Sequence, residues 1–124
     1  MENGGSLVTG DEAARVLKYL GAQAAYLPRA GGPGTLVIGP NATRLQVIEE
    51  LIHHGQYRRI GFPELDSVKG VFVGVRLEIE AQDMLLRIAR RKGWTQAEVD
   101  LITRNRAAWV NKLQELTERY GHGY

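Results

Sequence analysis

The sequence of 124 residues contains no cysteine. Disulfides, Cys-held zinc and a thiol nucleophile are therefore excluded, and any metal would have to be held by His, Asp, Glu or backbone oxygen. No apolar run approaches the roughly 18 residues that a membrane helix needs, so no membrane partner is expected. The start, MENGGSLVTG, is polar and glycine-rich and carries no secretory-signal pattern. Net charge is only +2, too little by itself to argue for nucleic-acid binding. Internal repeats and low-complexity segments are absent as well.

What is present is enough apolar material, 44% of the residues, to build a core. The length suggests one compact domain, with residues 1–8 as a flexible lead-in and residues 9–124 as the folded part. TGDEAARVLKYLGA reads as a short helix. Thr9 or Asp11 would cap it, Asp11 and Glu12 suit its N-terminal dipole, and Gly21 would end it. AAYLPR and GTLVIG read as two short strands around the turn RAGGPG. Pro40 and Asn41 break the chain, and Asn41 or Thr43 would cap a helix over residues 42–58.

Between residues 71 and 79 the odd positions are apolar, which fits a strand, while Leu77, Ala81, Met84, Leu85 and Ile88 fit a helix. This predicts an extended segment at 71–74 and a helix at 75–92, ended by Gly93. Thr95 with Glu98 is a capping-box pair for a last helix. Leu101, Ile102, Trp109, Val110, Leu113 and Leu116 form its apolar face, and GHGY is a frayed tail. The fold class is α+β: an N-terminal helix, a small β-hairpin and three further helices.

The helix over 42–58 carries the densest chemistry. Its run LQVIEELIHHGQYRR places Leu45, Ile48, Ile52 and Gly55 on one stripe. Glu49 lies beside that stripe and His53 follows one turn later, both at the edge of the buried face. Glu50 and His54 point further round. Positions i and i+4 of a helix project from one face, which is why HExxH can place two ligands on one metal with a general base at i+1. In this chain Glu49 and His53 take the ligand positions and Glu50 takes the base position. A carboxylate in place of the first imidazole makes the metal a weaker Lewis acid, and the harder oxygen ligand admits Mn²⁺, Mg²⁺ or Ca²⁺ beside Zn²⁺.

A third ligand is needed. Glu78 and Glu80 each lie about 80° from the centre of the next helix's apolar stripe, so the wheel does not separate them. His54 diverges from His53 by about 100°, and His122 lies at the chain end. The plainer reading is of helix-surface charges, with Glu49 near Arg44 and Glu50 near His54. Against it, an anion and an imidazole at the margin of a buried face need a partner, either a metal or one of Arg58, Arg59 and Arg76. The other groups read as structural. RAGGPG lacks the ending of a phosphate-binding loop, RIARRK (87–92) suits a helix C-terminus, Trp94 and Trp109 read as core anchors, and no Ser stands in a nucleophile elbow.

Two segments, ATRLQVIEELIHHGQYRR and RLEIEAQDMLLRIARRKGWTQAEVDLITRNRAAWVNKLQEL, together resemble the C-terminal toxin domains of bacterial polymorphic toxins, of the zincin-like metallopeptidase type. The resemblance spans roughly residues 33–117. It implies Glu49, His53 and Glu80 (Glu78 second) as ligands of Zn²⁺ or another divalent metal, with Glu50 as catalytic base. It also implies a metal-dependent hydrolase acting on a protein or peptide, delivered by a secretion system into the cytoplasm of a target bacterium. A cognate immunity protein would neutralise it. Two rivals remain at this point. One is a toxin nuclease that uses the Glu/His cluster on RNA or DNA, with residues 87–92 and 104–106 holding phosphate. The other is a non-enzymatic interaction domain.

Overall fold

A computed structural model describes residues 5–62 and 67–121. The chain is α+β: a three-stranded sheet and four helices. It divides into two compact units, Met1–Glu64 and Leu65–Tyr124.

The first unit is built on β1 (Ser6–Val8), α1 (Gly10–Leu20), β2 (Ala24–Arg29), β3 (Gly32–Ile38) and α2 (Arg44–Arg59). The strand order is β1-β3-β2, with β1 parallel and β2 antiparallel to the central β3. The expected hairpin is there, closed by Ala30 and Gly31, with Gly31 at φ 79° where a side chain would be strained. The Gly31 amide donates to the Phe62 carbonyl at 2.8 Å, tying the hairpin tip to the chain that leaves α2. The strand β1 falls in the segment expected to be a flexible lead-in. Its three residues pair with Thr35, Leu36 and Val37, a partner too distant in sequence for local pattern to reveal.

The sheet is covered on both faces because successive strand residues point to opposite sides. Ala25, Leu27 and Val37 lie on one side, where Ala13 and Leu17 of α1 form a small core with them. Thr9 occupies the N-cap of α1 without a side-chain cap hydrogen bond, and Asp11 sits in the first turn. Gly21 ends the helix in the left-handed conformation, φ 64°. Tyr26 and Leu36 pair on the other side, which faces α2.

The second unit is a helical hairpin of α3 (Val68–Lys92) and α4 (Gln96–Tyr120). Here the expectation of an extended segment at 71–74 is corrected: those residues are helical. Ser67 caps α3 by accepting the Gly70 amide at 3.0 Å. Val68, Phe72, Val75 and Ile79 then fall at helical spacing and bury against Trp109, Leu113 and Leu116. Packing against α4 outweighs the strand preference of this valine-rich run. Gly93, at φ 66°, ends α3. Thr95 and Glu98 form the expected capping box, with amide–side-chain bonds of 3.1 and 3.2 Å. Trp94 is buried as predicted. An Arg106–Asp83 pair at 2.6 Å joins the two helices. Both side chains are about 40–46% exposed, so the pair contributes at most about 1 kcal/mol. No helix among the described residues is long and apolar enough to cross a membrane.

Candidate functional site

Helix α2 begins at the second of the two predicted caps. Thr43 accepts the Gln46 amide at 3.2 Å while the Gln46 side-chain oxygen accepts the Thr43 amide at 2.9 Å. That reciprocal pair satisfies two backbone donors that a helix start otherwise leaves open. Arg58 and Arg59 close the last turn, where cations suit the helix dipole.

The buried residues of α2 are Leu45, Ile52, His53, His54, Gln56 and Tyr57. The predicted stripe holds at Leu45 and Ile52, loosens at half-buried Ile48, and fails at Gly55, which is exposed. His53 is buried and Glu49 half-buried, in keeping with their place at the edge of that stripe. His54, expected further round the helix than the edge of the stripe, is as buried as His53, each 6% exposed. At about 100° per residue His54 lies opposite Leu45, so α2 is covered round more than half of its circumference. On the His54 side lies β2. The Tyr26 ring meets the His54 ring edge-on at 5.5 Å and stacks on Tyr57 at 5.6 Å. The Tyr26 hydroxyl accepts the Gly34 amide at 2.9 Å, which locks that ring against the sheet.

The two imidazoles have opposite surroundings. Neither ring nitrogen of His54 has a hydrogen-bond partner among the described residues. Burial, and then the nearby Arg58 charge, hold its pKa below the ordinary 6.5, so the ring is neutral at pH 7. His53 Nδ1 instead lies 2.8 Å from Gln56 Oε1. An amide oxygen only accepts, so Nδ1 carries the proton and Nε2 is the basic nitrogen. An imidazole oriented through Nδ1 by an oxygen acceptor has the tautomer of a metal ligand or a general base. Gln56 was not singled out in the sequence. The signal that could have found it is its polar side chain three residues after His53, on the same helix face.

The remaining candidates are placed as follows. Glu50 is half-buried on α2, one helical turn before His54. Glu80 and Glu78 are half-buried on α3, in the second unit. Of the suggested cationic partners, Arg58 and Arg59 are exposed, and the Arg76 guanidinium sits over the Phe72 ring at 5.5 Å. His122 and most of the GHGY tail lie outside the described residues, as does part of the loop after α2. Among the described residues no group of three or more His, Asp and Glu side chains forms a ready metal cage. Within the first unit the two residues expected as ligands, Glu49 and His53, stand at i and i+4 of α2, and Gln56 meets the imidazole of His53. A carboxylate and an imidazole are donor types that would suit Zn²⁺ or a harder divalent ion. Comparison with family models, with curated proteins and with solved structures gave no match.

Proposed function

We propose that the chain is a toxin domain acting as a metal-dependent hydrolase of metallopeptidase type on a protein or peptide. The observation that carries the reading is the His53–Gln56 contact, 2.8 Å, on the helix face that Glu49 shares. It fixes the tautomer that a ligand histidine needs. Glu49 and His53 would hold the metal, and the sequence resemblance adds Glu80, with Glu78 second, as third ligand. The metal would supply polarisation of the scissile carbonyl. Glu50 follows Glu49 on the same helix and is the general base, taking a proton from the attacking water and passing it to the leaving amine. The same reading carries delivery into a target bacterium and a cognate immunity protein.

Inducible expression in bacteria tests it, together with metal analysis of the purified chain. The expected result is growth arrest, relieved by Glu50→Gln in a variant whose circular dichroism and melting are unchanged. Full toxicity in the well-folded Glu50→Gln chain removes the catalytic assignment. Bound metal that is lost on Glu49→Gln, His53→Gln and Glu80→Gln supports the ligand set. If Glu78→Gln loses it while Glu80→Gln does not, the third ligand is Glu78.

A further inference from the structure

The C-terminal third of α3 carries charge that no acidic group among the described residues pairs with. Arg87, Arg90, Arg91 and Lys92 are all exposed, and residues 84–97 contain no Asp or Glu. None of the four takes part in an ion pair among the described residues. Arg106, by contrast, is held by Asp83. The helix dipole explains cations in the last turn, Arg90 to Lys92. It does not explain Arg87, a turn earlier. Nor does it explain the open cavity of about 230 Å³ that Arg87 and Arg91 line together with Met84 and Ile88. These four residues stand at i, i+3, i+4 and i+7, so they form one face: two half-buried apolar side chains flanked by two guanidinium groups.

Two kinds of anionic macromolecule could meet such a face. A nucleic-acid strand offers phosphates and flat bases, and proteins that grip single strands provide aromatic platforms for those bases. No aromatic residue of the segment 84–97 is exposed, since Trp94 is buried. The floor is instead aliphatic and thioether, and Met and Arg are the residues enriched where proteins meet proteins. An arginine pair about one turn apart matches carboxylates at the same spacing on a partner helix. We propose that this face of α3 docks an acidic protein segment, one that seats an apolar side chain on Met84 and Ile88 between carboxylates that pair with Arg87 and Arg91.

The test is fluorescence anisotropy with the full chain and three labelled probes: a helical peptide of Glu and Leu at i,i+4 spacing, the same peptide with Gln for Leu, and a single-stranded RNA. The Glu/Leu peptide is expected to bind at low salt, to weaken as salt rises, and to bind more tightly than the Glu/Gln peptide. An Arg87→Glu, Arg91→Glu double variant is expected to lose about tenfold or more in affinity. Ile88→Gln, which keeps every charge, is expected to lose severalfold. All four side chains lie on a helix surface, so circular dichroism of each variant checks that the fold is retained. Failure of the Glu/Leu peptide to bind, or equal binding to the double variant, overturns the proposal. Tighter binding of the RNA than of the Glu/Leu peptide, lost in the same double variant, assigns the face to nucleic acid and also overturns it.

Discussion

His53 and Gln56, three residues apart on α2, meet through Nδ1 and Oε1 at 2.8 Å in a buried setting. The pair determines which imidazole nitrogen carries the proton, and thereby what the ring can do. On the proposed function Gln56 is a positioning residue, because it would act on the metal through His53.

Gln56→Leu removes the acceptor and leaves a buried N–H donor without it. The expected cost is about 1–3 kcal/mol, read as a lower urea midpoint. On the proposed function the same variant binds divalent metal about 10–100-fold more weakly, as loss of an outer partner to a ligand histidine does. A stability loss with unchanged metal affinity would restrict Gln56 to packing.

Stability should depend on pH through His54. Its folded pKa is depressed by burial and then by Arg58, so the unfolded chain takes up the proton first as pH falls. The contribution of the neutral ring is full above the unfolded value of 6.5. It is lost as pH falls through that value toward the folded one. The urea midpoint, measured without metal, is therefore expected to be flat above about pH 7 and to fall below about pH 6. His54→Leu should remove much of that slope. An unchanged slope in this variant would assign the titration to other groups.

Two glycines should respond in opposite ways to alanine. At Gly34 a Cβ would overlap the Leu27 carbonyl oxygen and lie 2.7 Å from the Tyr26 hydroxyl. Gly34→Ala is expected to cost about 1–3 kcal/mol or more. At Gly55, exposed within α2, a Cβ meets nothing, and Gly55→Ala should stabilise by about 0.5–1 kcal/mol. Thermal melts of the two variants compare them directly.

In the second unit a cap should outweigh an ion pair. Thr95→Ala breaks the capping box of α4 and is expected to cost about 1 kcal/mol. Asp83→Ala breaks the exposed pair with Arg106 and should change stability by less than about 1 kcal/mol. Chemical denaturation of both variants ranks the two contacts.

The elements that the sequence made legible are those written in adjacent residues. The β2–β3 hairpin announces itself by its glycine-rich turn, α2 by Thr43 and its periodicity, and the start of α4 by Thr95 and Glu98. The first turns of α3 are ambiguous in the sequence because Val71, Val73, Val75, Leu77 and Ile79 satisfy a period of two as well as a helix. Only the neighbourhood of Trp109, Leu113 and Leu116 decides between them. At the site, the edge position of Glu49 and His53 followed from a single apolar stripe. The burial of His54 did not, because Tyr26 supplies a second covered side from a strand some thirty residues earlier. Gln56 is not legible in the sequence as part of the site, because an uncharged amide gives its spacing from His53 no distinguishing mark.

The order of the strands has a consequence for how the first unit assembles. β2 and β3 are neighbours in sequence, joined by Ala30 and Gly31, so their pairing closes a very short loop. β1 pairs with the same central strand only after α1, β2 and the turn have been laid between them. Closing that longer loop costs more chain entropy before any contact is gained. The hairpin is therefore expected to form first and the parallel strand to join it late. In native-state hydrogen exchange, the β1 edge is expected to open before the β2–β3 ladder.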